Sequence, residues 1–270
     1  LFVLPVPPFD FNLISADLAQ IKNLTKNQGL GLYFGPSGAQ GYRILIQENN
    51  LKVWKVLETN LLSGLCTIVN DKTVCENDPC QPECSRCVSN KCVVEEPAIR
   101  TETLIFFEDN LWLGRTDQPL LIKGKVTVVS ANLENPNQPT SVWIQGNINY
   151  KNNDGSDGFL LLAQKNNLIG LYSPNEMIIH GIFVAQKGFF GRNHYPCSRY
   201  SPYCLRDSLQ IFGAIVSEGR VGTQWTNPGG AIESGYRNRE TFVDPYLLYN
   251  PPPFTPYLSS QIKEVKWKEE

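Results

Sequence analysis

The sequence predicts a mainly β protein: a right-handed β-solenoid (a parallel β-helix) preceded by a small β-rich domain with a disulfide-rich insert. Three observations predict it. A five-residue phrase, Ile-x-Gly-x-(Val/Ile/Phe), occurs four times, as "IKGKV" at 122–126, "IQGNI" at 144–148, "IHGIF" at 179–183 and "IFGAI" at 211–215. Alternating apolar and polar runs dominate the chain, and a single stretch has the apolar period of a helix. Six of the eight cysteines crowd between Cys66 and Cys92, and apolar residues are nearly absent from 75–92.

The bulk properties set the frame. A chain of 270 residues suffices for one large domain or two modest ones with real cores. Apolar residues make up 41% and charged residues 19%, the balance of a folded chain. A net charge of −2 argues against nucleic acid or an acidic membrane as partner. No run approaches the ~18 continuous apolar residues of a membrane helix. The first residue is Leu1 and there is one Met, so we expect a processed, trimmed or incompletely observed chain. The opening "LFVLPVPPF", broken by prolines, reads as an extended segment laid on a surface or as the stub of something removed upstream.

In chain order, "NLISADLAQIKNLTKNQG" (12–29) is the helix, with Leu13, Leu18, Ile21 and Leu24 near a 3.6 period, Ser15 as N-cap and Gly29 as stop. "GYRILIQENNLKVWKVLE" (41–58) reads as a hairpin turning at Asn49-Asn50. "TLIFFEDNLWLG" (103–114) reads the same way, turning at Asp109-Asn110. From about 119 the repeated phrase takes over. Gly124 to Gly146 is 22 residues, and the two "AQK" triplets at 163–165 and 185–187 are also 22 apart. A period in the low twenties with strand-like phrases marks a solenoid whose turns stack like residue over like residue. Residues two apart on a strand share a face, so Ile179, Gly181 and Phe183 point inward and His180 outward. The competing architecture is an antiparallel sandwich. The expected organisation is 1–118 as the N-terminal β-rich domain with the insert at 66–92, 119–250 as the solenoid, and 251–270 as a proline-rich strap held by Pro251, Pro252 and Pro253.

Cys66, Cys75, Cys80, Cys84, Cys87 and Cys92 form one cluster, and Cys197 and Cys204 bracket "SRYSPY". An even number in tight clusters points to disulfides and an oxidising location. Zinc is the rival, but no His lies nearby and the spacings make no pair of CxxC knuckles. Cys197 is expected to pair with Cys204. The other six pair among themselves, with 15 connectivities open.

Candidates for chemistry are few. The chain has two histidines, His180 and His194, and no nucleophile elbow, phosphate loop or dinucleotide fingerprint. "NNDGSDG" (152–158) makes Asp154 and Asp157 weak calcium candidates, in a spacing that misses the EF-hand. Carbohydrate-cleaving solenoids need paired carboxylates or a basic residue in a groove. The available groups, Glu176, Asp207, Glu218, Arg192 and Arg220 beside the two aspartates, recur on no common face. Trp143, Tyr172, Tyr195, Tyr200, Tyr203 and Trp225 are candidates for a glycan platform or for staples. Asn23, in "NLT", is a glycosylation candidate.

The runs "GFLLLAQKNNLIGLYSPNEMIIHGIFVAQKGFFG", "LQIFGAIVSEGRVG" and "GYRNRETFVDPYLLYNPPPFTP" and the terminal "VKWKEE" resemble bacterial envelope, type IV pilus-associated (pseudopilin-like) proteins with a β-solenoid ectodomain. The resemblance covers about 119–270, and its specific part is the DPxLLxNPPP-type phrase at 244–253. It implies an anchoring hydrophobic helix before the ectodomain and no enzymatic activity. This chain departs in lacking that helix and in carrying the cysteine-rich insert.

The resulting expectation is an extracellular or cell-surface structural subunit or accessory protein of a pilus-like appendage or envelope layer. It needs no cofactor, is not an enzyme, and packs against copies of itself or pilus and envelope subunits. Membrane attachment would rest on a segment upstream of Leu1. The alternatives are a glycan- or surface-binding adhesin and a β-helix polysaccharide-degrading enzyme.

Overall fold

The computed structural model describes residues 11–56, 67–69, 72–74, 94–95 and 102–255. All six cysteines of the 66–92 insert, the first ten residues and the strap beyond Thr255 lie outside the described residues.

The chain opens with α1 (Phe11–Lys26), β1 (Leu32–Phe34), β2 (Gly41–Glu48) and β3 (Asn50–Val56). Three short strands follow, β4 (Thr67–Val69), β5 (Lys72–Val74) and β6 (Val94–Glu95). Then come β7 (Glu102–Phe107), β8 (Leu111–Leu113), β9 (Leu120–Ile122), β10 (Lys125–Ser130), β11 (Val142–Ile144) and β12 (Ile148–Tyr150). The next stretch holds β13 (Gly158–Ala163), β14 (Asn167–Ile169), β15 (Glu176–Ala185), β16 (Phe190–Arg192) and the short α2 (Cys197–Tyr200). The last elements are β17 (Leu205–Ser217), β18 (Val221–Gly222), β19 (Gln224–Thr226), β20 (Ile232–Phe242) and α3 (Pro245–Tyr249).

The protein is mainly β, and one large sheet of mostly parallel strands dominates it. Its strands stack in three ladders. The first runs β1, β7, β10, β13, β15 and β17, all parallel. The second runs β2, β8, β11, β14, β16 and β18. The third runs β2, β9, β12, β15, β17 and β20. The chain visits the three ladders in order and returns one strand further on, so each circuit is one turn of a coil. The parallel pairing sets aside the antiparallel sandwich.

Apolar columns fill the inside. Ile105, Val128, Leu161, Phe183 and Ile215 stand over one another in the first ladder. Leu120, Ile148, Ile179 and Ile211 do so in the third. Most of these side chains are fully buried, and burying each is worth roughly 1.5–3 kcal/mol. The first ladder is apolar on its outer side as well. There Leu104, Phe106, Leu160, Leu162 and Val184 are covered by Leu18 and Ile21 of α1 and by Leu247 of α3.

Several local expectations need correction. Ser15 lies inside α1 rather than capping it. The helix does end before Gly29, which adopts a positive φ of 65°. The 41–58 hairpin exists, but Gln47 pairs with Asn50, so its loop is Glu48-Asn49 and Glu48 takes the positive φ. That register sets Ile44 opposite Val53 and Ile46 opposite Leu51, all buried, and core burial outweighs turn preference. The 103–114 stretch is not a hairpin. β7 and β8 belong to different ladders, and Asp109-Asn110 forms the corner between them. Corner and hairpin share turn chemistry. Here the Asn110 side chain accepts a hydrogen bond from Ser141 N (3.0 Å) and so ties one turn to the next. The expected division at 118/119 falls within the sheet, since β2 pairs with β8 and β9 and β7 with β10.

Of the four phrases, only those at 179–183 and 211–215 are in register, with Gly181 against Gly213. The phrase at 122–126 sits at the same corner but two residues out of step, because Leu120, not Ile122, stands against Ile148. The phrase at 144–148 joins β11 to β12, a different corner.

Candidate functional site

The two ends of the coil are finished differently, and the candidate site lies at the C-terminal one. At the N-terminal end β3 pairs along the whole of β2, and β6 pairs with β3. At the other end β20 pairs with β17 on one side, while β19 reaches only its first residues on the other. From Asn238 to Phe242 that second edge has no strand partner among the described residues. The inner columns also change character here. Ile179 and Ile211 are followed by Thr241, and Met177 and Leu209 by Arg239. Polar residues thus close a core that would otherwise face water. Directly after the strand, Val243, Leu248 and Tyr249 are exposed, Tyr249 at 88%.

Beside this end is a cleft of about 160 Å³. Its floor is an outward column of rings that the stacking of turns creates. Tyr150 lies 4.9 Å from His180, and His180 lies 4.7 Å from Phe212 at an angle of only 10°. Phe212 in turn stacks on Phe242 at 4.8 Å. One wall is the 152–157 loop and the other is the segment Val243–Tyr246, which crosses over that loop. Gly155 permits the crossing, because a Cβ there would meet Tyr246 Cδ1 at 2.5 Å. Asp244 projects into the cleft as the N-cap of α3, accepting from Tyr246 N at 3.0 Å, and makes no ion pair among the described residues. Burial lowers the His180 pKa, with Asp244 opposing, which favours the neutral imidazole. Lys125, just behind the cleft, donates to the Asp157 carbonyl at 2.9 Å, and burial lowers its pKa.

The 154/157 pair holds the loop by hydrogen bonds. Asp157 is buried, and its two oxygens accept from Gly124 N (2.7 Å) and Asn152 N (2.6 Å). Asp154 accepts from Ser156 N at 2.9 Å. The other charged candidates do not converge. Asp207 bridges Arg237 (2.7 Å) on the outside of the third ladder. Glu176 opens β15 at the surface, and Glu218 lies beyond the end of β17. Arg220 covers Trp225 at 4.6 Å. Arg192 is fully buried and spent on the carbonyls of Leu171, Tyr203 and Cys204, and burial brings its pKa down to about 10. The aromatic candidates form separate pairs rather than one platform: Trp143 with Trp112, Tyr172 with Tyr203, and Tyr195 with Tyr200. His194 lies 3.9 Å from Glu233 and edge-on to Trp225. Asn23 is exposed on α1.

Cys197 and Cys204 form a disulfide with Cα atoms 5.1 Å apart. It closes the small loop that Arg192 holds from beneath. No described helix is long and apolar enough to cross a membrane. Sequence reasoning placed His180 outward but missed the cleft. The signal was present in the in-register phrases, where His180 and Phe212 hold the same outward position. Comparison with protein-family models, with curated proteins and with solved structures finds no match.

Proposed function

We propose that this chain is an extracytoplasmic structural subunit or accessory protein of a pilus-like appendage or envelope layer, working by contact rather than by catalysis. The observation that carries the reading is the unequal finish of the coil. One end is closed by a hairpin, and at the other the β20 edge has no strand partner from 238 to 242 among the described residues, beside exposed Val243, Leu248 and Tyr249. Unpaired backbone and apolar surface at the end of a stack are what a neighbouring subunit would cover. The Cys197–Cys204 disulfide supports an oxidising location. The resemblance of 119–270 to type IV pilus-associated envelope proteins supplies the appendage. We take the fold to be a right-handed β-solenoid, the hand that parallel crossovers favour, and the six cysteines of the insert to pair among themselves.

Native mass spectrometry and electron microscopy of material from the source cells test the reading. It expects the chain packed against copies of itself or a pilus-like partner. A strictly monomeric, freely secreted protein that turns over a polysaccharide would overturn it. A surface-binding module is the second reading, favoured by the cleft.

A further inference from the structure

We propose that the cleft under the Val243–Tyr246 crossing binds a methylated ammonium head group, with Asp244 as counter-ion. The inference is independent of the assembly reading.

Three features of the cleft select this chemistry. First, its charge is specific. Asp157 also lines it, but both of that residue's oxygens are taken by backbone N–H groups. Asp244 is bonded only to Tyr246 N and makes no ion pair among the described residues, although its charge reaches the buried Lys125 ammonium and raises that group's pKa against burial. Lys125 points its ammonium at the Asp157 carbonyl instead. A carboxylate at the mouth of an apolar cleft favours a positive ligand.

Second, the walls suit methyl groups better than hydroxyls. The lining surface is mainly apolar, from Phe212, Val243, Pro245 and the rings of Tyr150 and Tyr246, with Asn152 and Asn153 on the loop side. A primary ammonium brings three N–H donors that need acceptors. A quaternary one brings none, and asks only for charge and apolar contact.

Third, the geometry disfavours a sugar. A pyranose stacks on a free aromatic face, yet His180 and Phe212 lie face to face at 4.7 Å and 10°, and Phe212 and Phe242 at 4.8 Å and 19°. These faces are occupied by one another. At about 160 Å³ the space is also below the ~300–1,000 Å³ that holds a drug-sized ligand. It suits a head group and little more.

Such a group can arrive as soluble choline or on a phosphocholine-bearing surface, so the experiment carries both. Choline and its uncharged isostere 3,3-dimethyl-1-butanol are titrated into the isotopically labelled chain and followed by NMR. Phosphatidylcholine vesicles are tested in parallel by co-sedimentation. Choline is expected to saturate, to move the signals of His180, Phe212 and Tyr246, and to bind about tenfold or more tightly than the isostere, the factor that about 1.4 kcal/mol of attraction to Asp244 gives. Asp244→Asn should lose about the same factor while keeping α3, because Asn caps a helix as well as Asp does. Vesicle binding in addition to choline binding would identify a lipid source, and choline alone a soluble or polymer-borne one. Equal binding of choline and isostere, no saturable shift, shifts mapping elsewhere, or an Asp244→Asn variant that binds undiminished would each overturn the proposal.

Discussion

The two ends of the coil solve the same problem in opposite ways. Stacked turns satisfy backbone groups only where another strand follows, so the first and last turns each leave an edge. At the N-terminal end the answer is more structure. β3 covers β2, and α1 lies on the outer apolar stripe, held by Lys22 against the fully buried Glu108. At the C-terminal end the answer is polarity. Thr241 and Arg239 end the inner columns, and the edge beyond them has no strand partner among the described residues. Covering gains cooperativity with the body of the fold. Polar termination keeps the end soluble and leaves it available. Damage should therefore be severe at the first end and mild at the second.

The sharpest way to break this comparison is Glu108→Ala. Glu108 pairs with Lys22 and accepts from Tyr33 Oη at 2.6 Å. Its removal leaves Lys22 with only the half-exposed Glu134 at 3.4 Å and leaves the Tyr33 hydroxyl without its acceptor. We expect a loss of about 3–5 kcal/mol, read from urea unfolding. A loss under about 1 kcal/mol would mean that α1 is not pinned there. Next comes a pair on one column. Ile211→Ala, buried at 4% exposure, should cost about 2–5 kcal/mol. Thr241→Ala, one turn further along the same column, should stay within about 0.5 kcal/mol. Similar costs at both positions would show that the end is as tightly built as the interior.

How legible was this in the sequence? The alternation around Gly181 and Gly213 gave β structure, stacked turns and the inward set Ile179 and Phe183, because those two phrases stand in register. The phrases at 122 and 144 misled. Any strand–bend–strand corner in a three-ladder coil can be written Ile-x-Gly-x-apolar, and the loops between strands differ in length from turn to turn. The Asp109-Asn110 corner was read as a hairpin for the same reason: turn residues report a bend, not the partner of the strand that follows. The Cys197–Cys204 pairing was legible because the two lie close in sequence with no other cysteine near. The cleft was not, because it joins Tyr150, His180, Phe212 and Asp244, which only the stacking of turns and the crossing segment bring together.

A smaller effect tests whether the last turn is as tightly seated as those before it. Gly213 has φ 137°, and a Cβ on it would stand 2.0 Å from Gly181 O. Gly213→Ala should cost about 1–3 kcal/mol. Gly222, in the same turn, has nothing within 4 Å of such a Cβ, and Gly222→Ala should be nearly silent. A tolerant Gly213 would mean that the final turn floats away from its neighbour.

The smallest effect concerns acid. His180 lies in the outward ring column, with Tyr150 and Phe212 on either side and Asp244 across the cleft. Burial lowers its pKa, and Asp244 opposes this without cancelling it. The unfolded chain, with an ordinary imidazole near 6.5, therefore takes up a proton before the folded one does. By linkage this makes stability rise with pH across that window. The contribution is fully present above the unfolded pKa and is lost as pH falls through about 6.5 towards the lower, folded value. His180→Phe keeps the ring column and removes the titration. Its unfolding free energy should fall less between pH 7 and pH 5 than that of the wild type, while the two remain close at pH 7. Identical pH dependence in both proteins would mean that the imidazole is solvated rather than buried. The ring column would then be a surface ornament of the open end rather than the floor of its cleft.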